Sequence, residues 1–382
     1  MKKTLAILLV VLMSIAAFGC AATPAPAPEA PAATEAPAAA TEAPAAEQPA
    51  GKPYIAMISK GFQHQFWQTV KAGADAAAAQ YNVEITFDGP PSESEISTQI
   101  DQLNAVLAKN PAALCLAALD TESVTTQLND TKAKGIPVVG FDSGVPNAPE
   151  GTIASTASTN NENAGAGAAE EMFKLVQDKI AAATPESPVI IGVLSQDATS
   201  ASVVGRTVGF LNKMAELSEG VKAGEVAITG HDKYAKASTS GKVSVELNIL
   251  VPASTNTTDM QTTAQGLFAK KGLAGIFCSN EGAVAGLLAA TTDGQDLDRT
   301  NGKYKDVAVI GFDAGASQKN AVKNGWFNGS ITQDPYMIGF LAVELAVKAM
   351  NGEAVDEIVD TGFQYYTAAN MDDAKIAPLL YD

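Results

Sequence analysis

The sequence predicts an α/β protein of two similar lobes, each a parallel sheet flanked by helices. Three observations carry that expectation. Gly-Phe-Asp occurs twice, each time closing a β-branched run: Val138-Val139-Gly140-Phe141-Asp142 and Val309-Ile310-Gly311-Phe312-Asp313. Strand-like and helix-like segments alternate along most of the chain, as in a βαβ series. The stretch from Lys52 to Asp382 is also too long for one ordinary core and suits two.

Each element follows from its pattern. Short Val/Ile runs such as Val138-Val139 and Val309-Ile310 read as strands buried on both faces of a parallel sheet. Tyr54 to Ile58 reads as a strand followed by an amphipathic helix from Gln65 to Tyr81, and Val83 to Phe87 as a strand followed by a helix from Glu93 to Lys109. Next come a strand at Ala113 to Leu119, a helix near Val124 to Lys134, the first Gly-Phe-Asp strand, and a short strand at Thr152 to Ala154. A helix from Asn163 to Ala181, the strand Val189 to Leu194 and a helix near Arg206 to Ala215 lead into a less regular stretch ending at Val251. Helix Thr258 to Lys270, strand Ala274 to Cys278 and helix Gly282 to Thr291 precede the second Gly-Phe-Asp strand. A helix near Ser317 to Asn324, the strand Ser330-Ile331-Thr332 and a helix from Pro335 to Met350 complete the series.

Each Gly-Phe-Asp aspartate falls just past the carboxyl end of its strand, where open α/β sheets bind ligands. Two such carboxylates, one per lobe, suit a shared cleft. The competing reading, that each only caps the next helix, is weakened by the repeat.

The N-terminus sets the compartment. Lys2-Lys3 and an apolar stretch from Leu5 to Phe18 read as a signal peptide over residues 1–19, too short for a convincing membrane span. Ala17-Phe18-Gly19-Cys20 resembles a bacterial lipobox, with Ala17 where Leu is more usual, so Cys20 is expected to be lipidated. Residues 20–51 are nearly all Ala, Pro, Thr and Glu, with Thr34-Glu35-Ala36-Pro37-Ala38-Ala39 repeated at Thr41-Glu42-Ala43-Pro44-Ala45-Ala46. Such a segment builds no core and reads as an extended tether. The net charge of -17 disfavours nucleic acid and anionic lipid as partners. Cys115 and Cys278 sit in apolar strands of different lobes and are expected to be buried free thiols.

From Tyr54 to Asp382 the chain resembles the ribose- and galactose-type periplasmic sugar-binding proteins that serve ABC transporters. The resemblance rests on Phe66-Trp67, the two Gly-Phe-Asp strands, Gly205-Arg206-Thr207-Val208-Gly209-Phe210, Ile276-Phe277-Cys278-Ser279-Asn280-Glu281 and Ile331-Thr332-Gln333, in this order. It implies two Rossmann-like lobes of the type I periplasmic-binding-protein fold, joined by three crossovers and closing on a ligand. Residues 52–159 with 334–360 would form the first lobe, and 160–333 with 361–382 the second. LacI-type repressors share the core but begin with a DNA-binding helix-turn-helix, where this chain has the export signal and tether.

A sugar offers hydroxyls that donate and accept, and C–H patches that pack on rings, so its cleft needs carboxylates, amides and aromatics. The resemblance places Phe66 and Trp67 against the sugar ring and His64 at a nearby polar position. It makes Asp142 and Asp313 the cleft carboxylates, and Asn280 and Gln333 the cleft amides. The sequence departs from ribose binders at Ser143, which stands where they carry Arg, and at Val204, near which a second binding Arg aligns. Arg206 either substitutes for that Arg or makes a structural contact. Near Thr255-Asn256 the second-lobe aromatic is missing, and Asn256 joins the candidate set. Ser143 does so at its own position. Losing guanidinium donors changes the hydroxyl pattern that can be satisfied, which weighs against ribose itself.

The reading is a lipid-anchored, monomeric receptor that captures a neutral monosaccharide or polyol without chemistry or cofactor and delivers it to a permease. A chemoreceptor is an open second partner. Inositol, a furanose signalling molecule or a nucleoside are the alternatives on the same fold. A glycoside-processing enzyme is the competing class: Asp142 and Asp313 could mimic an acid/base pair, but the chain has two histidines, no His-Glu-x-x-His and no Gly-x-Ser-x-Gly. The Asp293, Asp296 and Asp298 loop lacks EF-hand spacing and reads as solvated. The stretch from Gly220 to Glu246, with His231, carries no assigned role.

Overall fold

Strand and helix periods sort the chain into two parallel sheets. A computed structural model describes residues 51–62 and 64–381. The expected signal peptide, Cys20 and the expected tether lie outside the described residues, Gly51 excepted. The first sheet is built from β1 (Tyr54–Ile58), β2 (Glu84–Asp88), β3 (Ala113–Leu116), β4 (Val138–Phe141) and β5 (Ser155–Ser158), interleaved with α1 (Gln65–Tyr81), α2 (Ile96–Leu107) and α3 (Thr125–Lys134). The chain then builds a second sheet through α4 (Asn161–Ala182), β6 (Val189–Leu194), α5 (Ala201–Glu219), β7 (Val226–Thr229), β8 (Val245–Leu250), α6 (Thr257–Phe268) and β9 (Leu273–Cys278). It continues through α7 (Glu281–Ala289), β10 (Ala308–Phe312), α8 (Ala316–Lys323) and β11 (Gly329–Thr332). The chain returns to the first sheet as α9 (Pro335–Met350) and β12 (Ile358–Asp360), and ends at the second with β13 (Gln364–Tyr366).

The strand orders are β12-β5-β4-β3-β1-β2 and β13-β11-β10-β9-β6-β8-β7. All pairings are parallel except β13 on β11. The chain thus passes between the sheets three times, after β5, β11 and β12. This is the two-lobed arrangement the alternating pattern predicts.

Helices close each lobe by direct backbone contact. In the first lobe α1 lies on α9, where a Cβ at Gly73 would fall inside the carbonyl of Tyr336, and one at Gly339 inside that of Val70. In the second lobe α4 lies on α5, with Gly165 against the Arg206 carbonyl and Gly209 against that of Glu162. Only glycine permits this approach. Cys115 in β3 and Cys278 in β9 are buried free thiols, as their apolar settings predict, and burial pushes both thiols up.

Several boundaries differ from the sequence expectation. The short strand expected at 152–154 is β5 at 155–158, where Ser155 and Ala157 face inward and the polar Ser/Thr content hides the alternation. The irregular stretch up to 251 contains the paired strands β7 and β8. Helix α5 starts at Ala201, well before Arg206, which brings its first turns to the cleft. Helix α2 starts at Ile96, leaving Glu93 in the preceding loop.

Candidate functional site

The two Gly-Phe-Asp aspartates adopt the same unusual backbone. Asp142 has φ 52° and Asp313 φ 82°, in the left-handed region that costs a non-glycine residue about 1–3 kcal/mol unless its surroundings hold it there. Matching bonds hold both. The Asp142 N–H donates to the Ala157 carbonyl (3.0 Å), and its own carbonyl accepts from Ser158 Oγ (2.6 Å). The Asp313 N–H donates to the Ile331 carbonyl (2.6 Å), and its carbonyl accepts from Ser330 Oγ (3.0 Å) and Tyr366 Oη (3.1 Å). The neighbouring strand therefore turns each carboxylate out of its sheet.

Both carboxylates line one small cavity of about 20 Å³ between the lobes. Its first-lobe wall is Lys60, His64, Phe66, Trp67, Glu93 and Asp142; Val203, Arg206, Asn280, Asp313 and Gln333 face them. Trp67, 1 % exposed, stands edge-on to Phe66 at 5.0 Å and to Phe141 at 6.2 Å. The ring is both cavity wall and core.

The first-lobe wall is a buried charge network. Lys60 follows β1, is 4 % exposed, and places Nζ 3.2 Å from Asp142 Oδ2 and 3.9 Å from Glu93 Oε2. Burial alone would lower its pKa, but Asp142, Glu93 and Asp197 together raise it, so the ammonium stays charged. Glu93 accepts from Trp67 Nε1 (2.7 Å) and, across the cleft, from Gln196 Nε2 (2.8 Å). Burial pushes that carboxyl up, yet Lys60, His64 and these two donors bring it below the usual range. At Asp142 burial wins over Lys60 and Arg206, and the pKa is raised.

The opposite wall is fixed by Arg206, 2 % exposed, whose guanidinium stacks on Phe312 at 3.7 Å. Its Nε and Nη2 donate to Asn161 Oδ1 (3.1 and 2.8 Å) and its Nη1 to the Ser279 carbonyl (3.0 Å), with Asp313 Oδ2 at 3.8 Å. Asp313 accepts from Gln333 Nε2 (2.7 Å) and from the Glu281 N–H (3.0 Å). Two buried atoms of lining residues, His64 Nε2 and Gln333 Oε1, have no hydrogen-bond partner among the described residues. Oriented but unfilled polar atoms suit a hydroxylated ligand.

Of the residues singled out in the sequence, the structure gathers His64, Phe66, Trp67, Asp142, Arg206, Asn280, Asp313 and Gln333 at this cavity. Asn280 also caps α7, accepting from the Ala283 N–H (3.0 Å), so cap and wall are one residue. Ser143 is buried beside the cavity, where its Oγ accepts from the Ser202 N–H (3.1 Å). Asn256 is exposed and outside the cavity; its side chain caps α6 by accepting from the Asp259 N–H (2.8 Å). Sequence reasoning passed over Lys60, a lone lysine after an apolar strand, and Glu93, absorbed into a helix that starts later.

Comparison with known proteins agrees with this fold. A model of the periplasmic binding protein domain matches residues 55–354. The chain belongs to the periplasmic binding protein family. This family member is 24 % identical over 305 residues to the ribose import binding protein of Haemophilus influenzae, covering 79 % of this chain and 87 % of that one. Among solved structures, an "ABC transporter, LacI family transcriptional regulator" from Brachyspira murdochii is 40 % identical with TM-score 0.71, covering 87 % of this chain and 99 % of that one. An ABC transporter solute-binding protein from Agrobacterium vitis with bound D-fucose is 26 % identical with TM-score 0.69, over 86 % and 100 % of the two chains. The fold is the type I arrangement of that family.

Proposed function

We propose that the protein captures a neutral monosaccharide between its lobes and delivers it to an ABC-transporter permease outside the cytoplasm, held to the membrane through lipidated Cys20. The observation that carries this reading is the polar cavity between the lobes, with one strand-end carboxylate from each lobe, an aromatic wall at Phe66 and Trp67, and unfilled polar atoms at His64 and Gln333. A sugar hydroxyl donates to a carboxylate and accepts from an N–H, and its C–H face packs on a ring. The sugar relatives support the ligand class. The chain has Ser143 where the resemblance to ribose binders expects Arg, and the cation beside the first carboxylate is Lys60, which weighs against ribose itself. No hydrolysis is proposed, because each carboxylate is committed to a fixed donor set.

The test is incubation with a panel of pentoses, hexoses, inositol and nucleosides, followed by denaturation and mass spectrometry of what is released. Unchanged sugar recovered in stoichiometric amount supports the receptor. Recovery of a cleaved or altered product would support the glycoside-processing enzyme instead, and retention of inositol or a nucleoside would move the ligand class.

A further inference from the structure

Four helices are capped by their own N-cap side chains: α4 by Asn160, α6 by Asn256, α7 by Asn280 and α9 by Asp334. The other five described helices make no such bond. Three of those five, α1, α5 and α8, are capped by the opposite lobe. The Gln65 N–H at the start of α1 donates to Glu281 Oε1 of the second lobe (3.4 Å). The Ser202 N–H in the first turn of α5 donates to Ser143 Oγ of the first lobe (3.1 Å). The Ala316 N–H at the start of α8 donates to Gln65 Oε1 of the first lobe (2.8 Å). Gln65 thus gives its backbone to one lobe's carboxylate and its side chain to the same lobe's helix.

None of Gln65, Ser143 and Glu281 lines the sugar cavity. We infer that these three residues form a latch of reciprocal helix caps that sets how far the lobes favour the closed state. The first turn of a helix has N–H groups with no intrahelical acceptor, and here their side-chain acceptors exist only while the lobes are together. Parting the lobes exchanges three caps for water at once. Because apparent affinity scales with the closed fraction, the latch tunes binding of any ligand without touching it.

The inference rests on the closing cleft proposed above, so its test is made without ligand. The full chain and its Gln65→Met, Ser143→Ala and Glu281→Met variants are compared by small-angle scattering, by amide hydrogen exchange at Ala316 and by thermal unfolding. Each substitution is expected to move the closed-to-open ratio about three- to tenfold toward open, the size of one cap, and to enlarge the radius of gyration. Gln65→Met is expected to speed exchange at Ala316 in the other lobe by a similar factor, and the double variant Gln65→Met/Glu281→Met to show less than the sum of its parts. Wild-type scattering in all three variants, or a fall in melting temperature with no change in scattering, would overturn the latch. If Glu281→Met does not fold, Gln65→Met and Ser143→Ala decide alone. A sugar panel that finds no ligand would overturn the functional reading and leave these measurements intact.

Discussion

Replacing Lys60 by Met removes the cation that stands within 4 Å of both Asp142 and Glu93. The two carboxylates and the ammonium all belong to the first lobe, while the second lobe supplies Ser202 Oγ, which accepts from Nζ at 3.1 Å, and Gln196. At 3.2 Å and an effective dielectric of 20 the Lys60–Asp142 attraction is about 5 kcal/mol. Measured costs of breaking one side of a buried pair are about 3–5 kcal/mol. With the lobes apart water solvates the orphaned carboxylates, so the penalty falls on closure. If about 3 kcal/mol of it reaches the closed state, binding weakens about a hundredfold. The loss has a definite pH dependence. Burial already raises the pKa of Asp142, and removing Lys60 raises it further. A carboxyl whose pKa is higher in the closed state takes up a proton on closing, so closure improves as pH falls through that raised value. Titration calorimetry with the sugar found by the panel is therefore expected to show the full deficit for Lys60→Met at pH 8 and a smaller one at pH 5. Wild-type affinity at pH 8, or an equal deficit at both pH values, would refute the argument.

Asp142→Asn and Asp313→Asn keep a residue type that tolerates the left-handed backbone while removing a charged acceptor, and each is expected to weaken binding at least about tenfold by calorimetry, from about 1.5–3 kcal/mol. Trp326→Phe leaves Trp67 as the one tryptophan and is expected to keep a ligand-dependent fluorescence change, whereas Trp67→Phe deletes the 2.7 Å bond to Glu93, keeps an aromatic wall and is expected to lower affinity about tenfold; unchanged affinity would remove Glu93 from the argument. Gly339→Ala forces α1 from α9 and is expected to lower stability by about 1–3 kcal/mol in thermal unfolding, an overpacking cost that a wild-type melting temperature would contradict. A chain beginning at Lys52 is expected to bind as tightly as the full chain, because the preceding segment has too little apolar surface to dock; any loss of affinity on calorimetry counts against the tether.

The two-lobed fold was legible because its signal is local and repeated: β-branched runs bury on both faces, and the second Gly-Phe-Asp restates the first. The left-handed backbone shared by Asp142 and Asp313 shows what the repeat encodes, namely a strand end that turns a carboxylate toward the other lobe. Residues with a local signature, such as Phe66-Trp67 opening α1 or Asn280 capping α7, were therefore within reach of sequence reasoning. Lys60 and Glu93 were not. They are 33 positions apart, neither has a motif, and a charged residue beside a strand or helix is ordinarily solvated. Their burial depends on Gln196 and Ser202, more than a hundred positions further on. The same holds for the short strands β12 and β13, whose pairing with β5 and β11 depends on partners distant in sequence. Ser143 stands where the resemblance expects an Arg; in this structure the cation beside Asp142 is Lys60, and the Ser143 hydroxyl caps α5 across the cleft. The charge beside the first carboxylate comes from Lys60 and the Ser143 hydroxyl is spent on the Ser202 N–H, so substitutions at Ser143 alone should alter closure more than ligand choice.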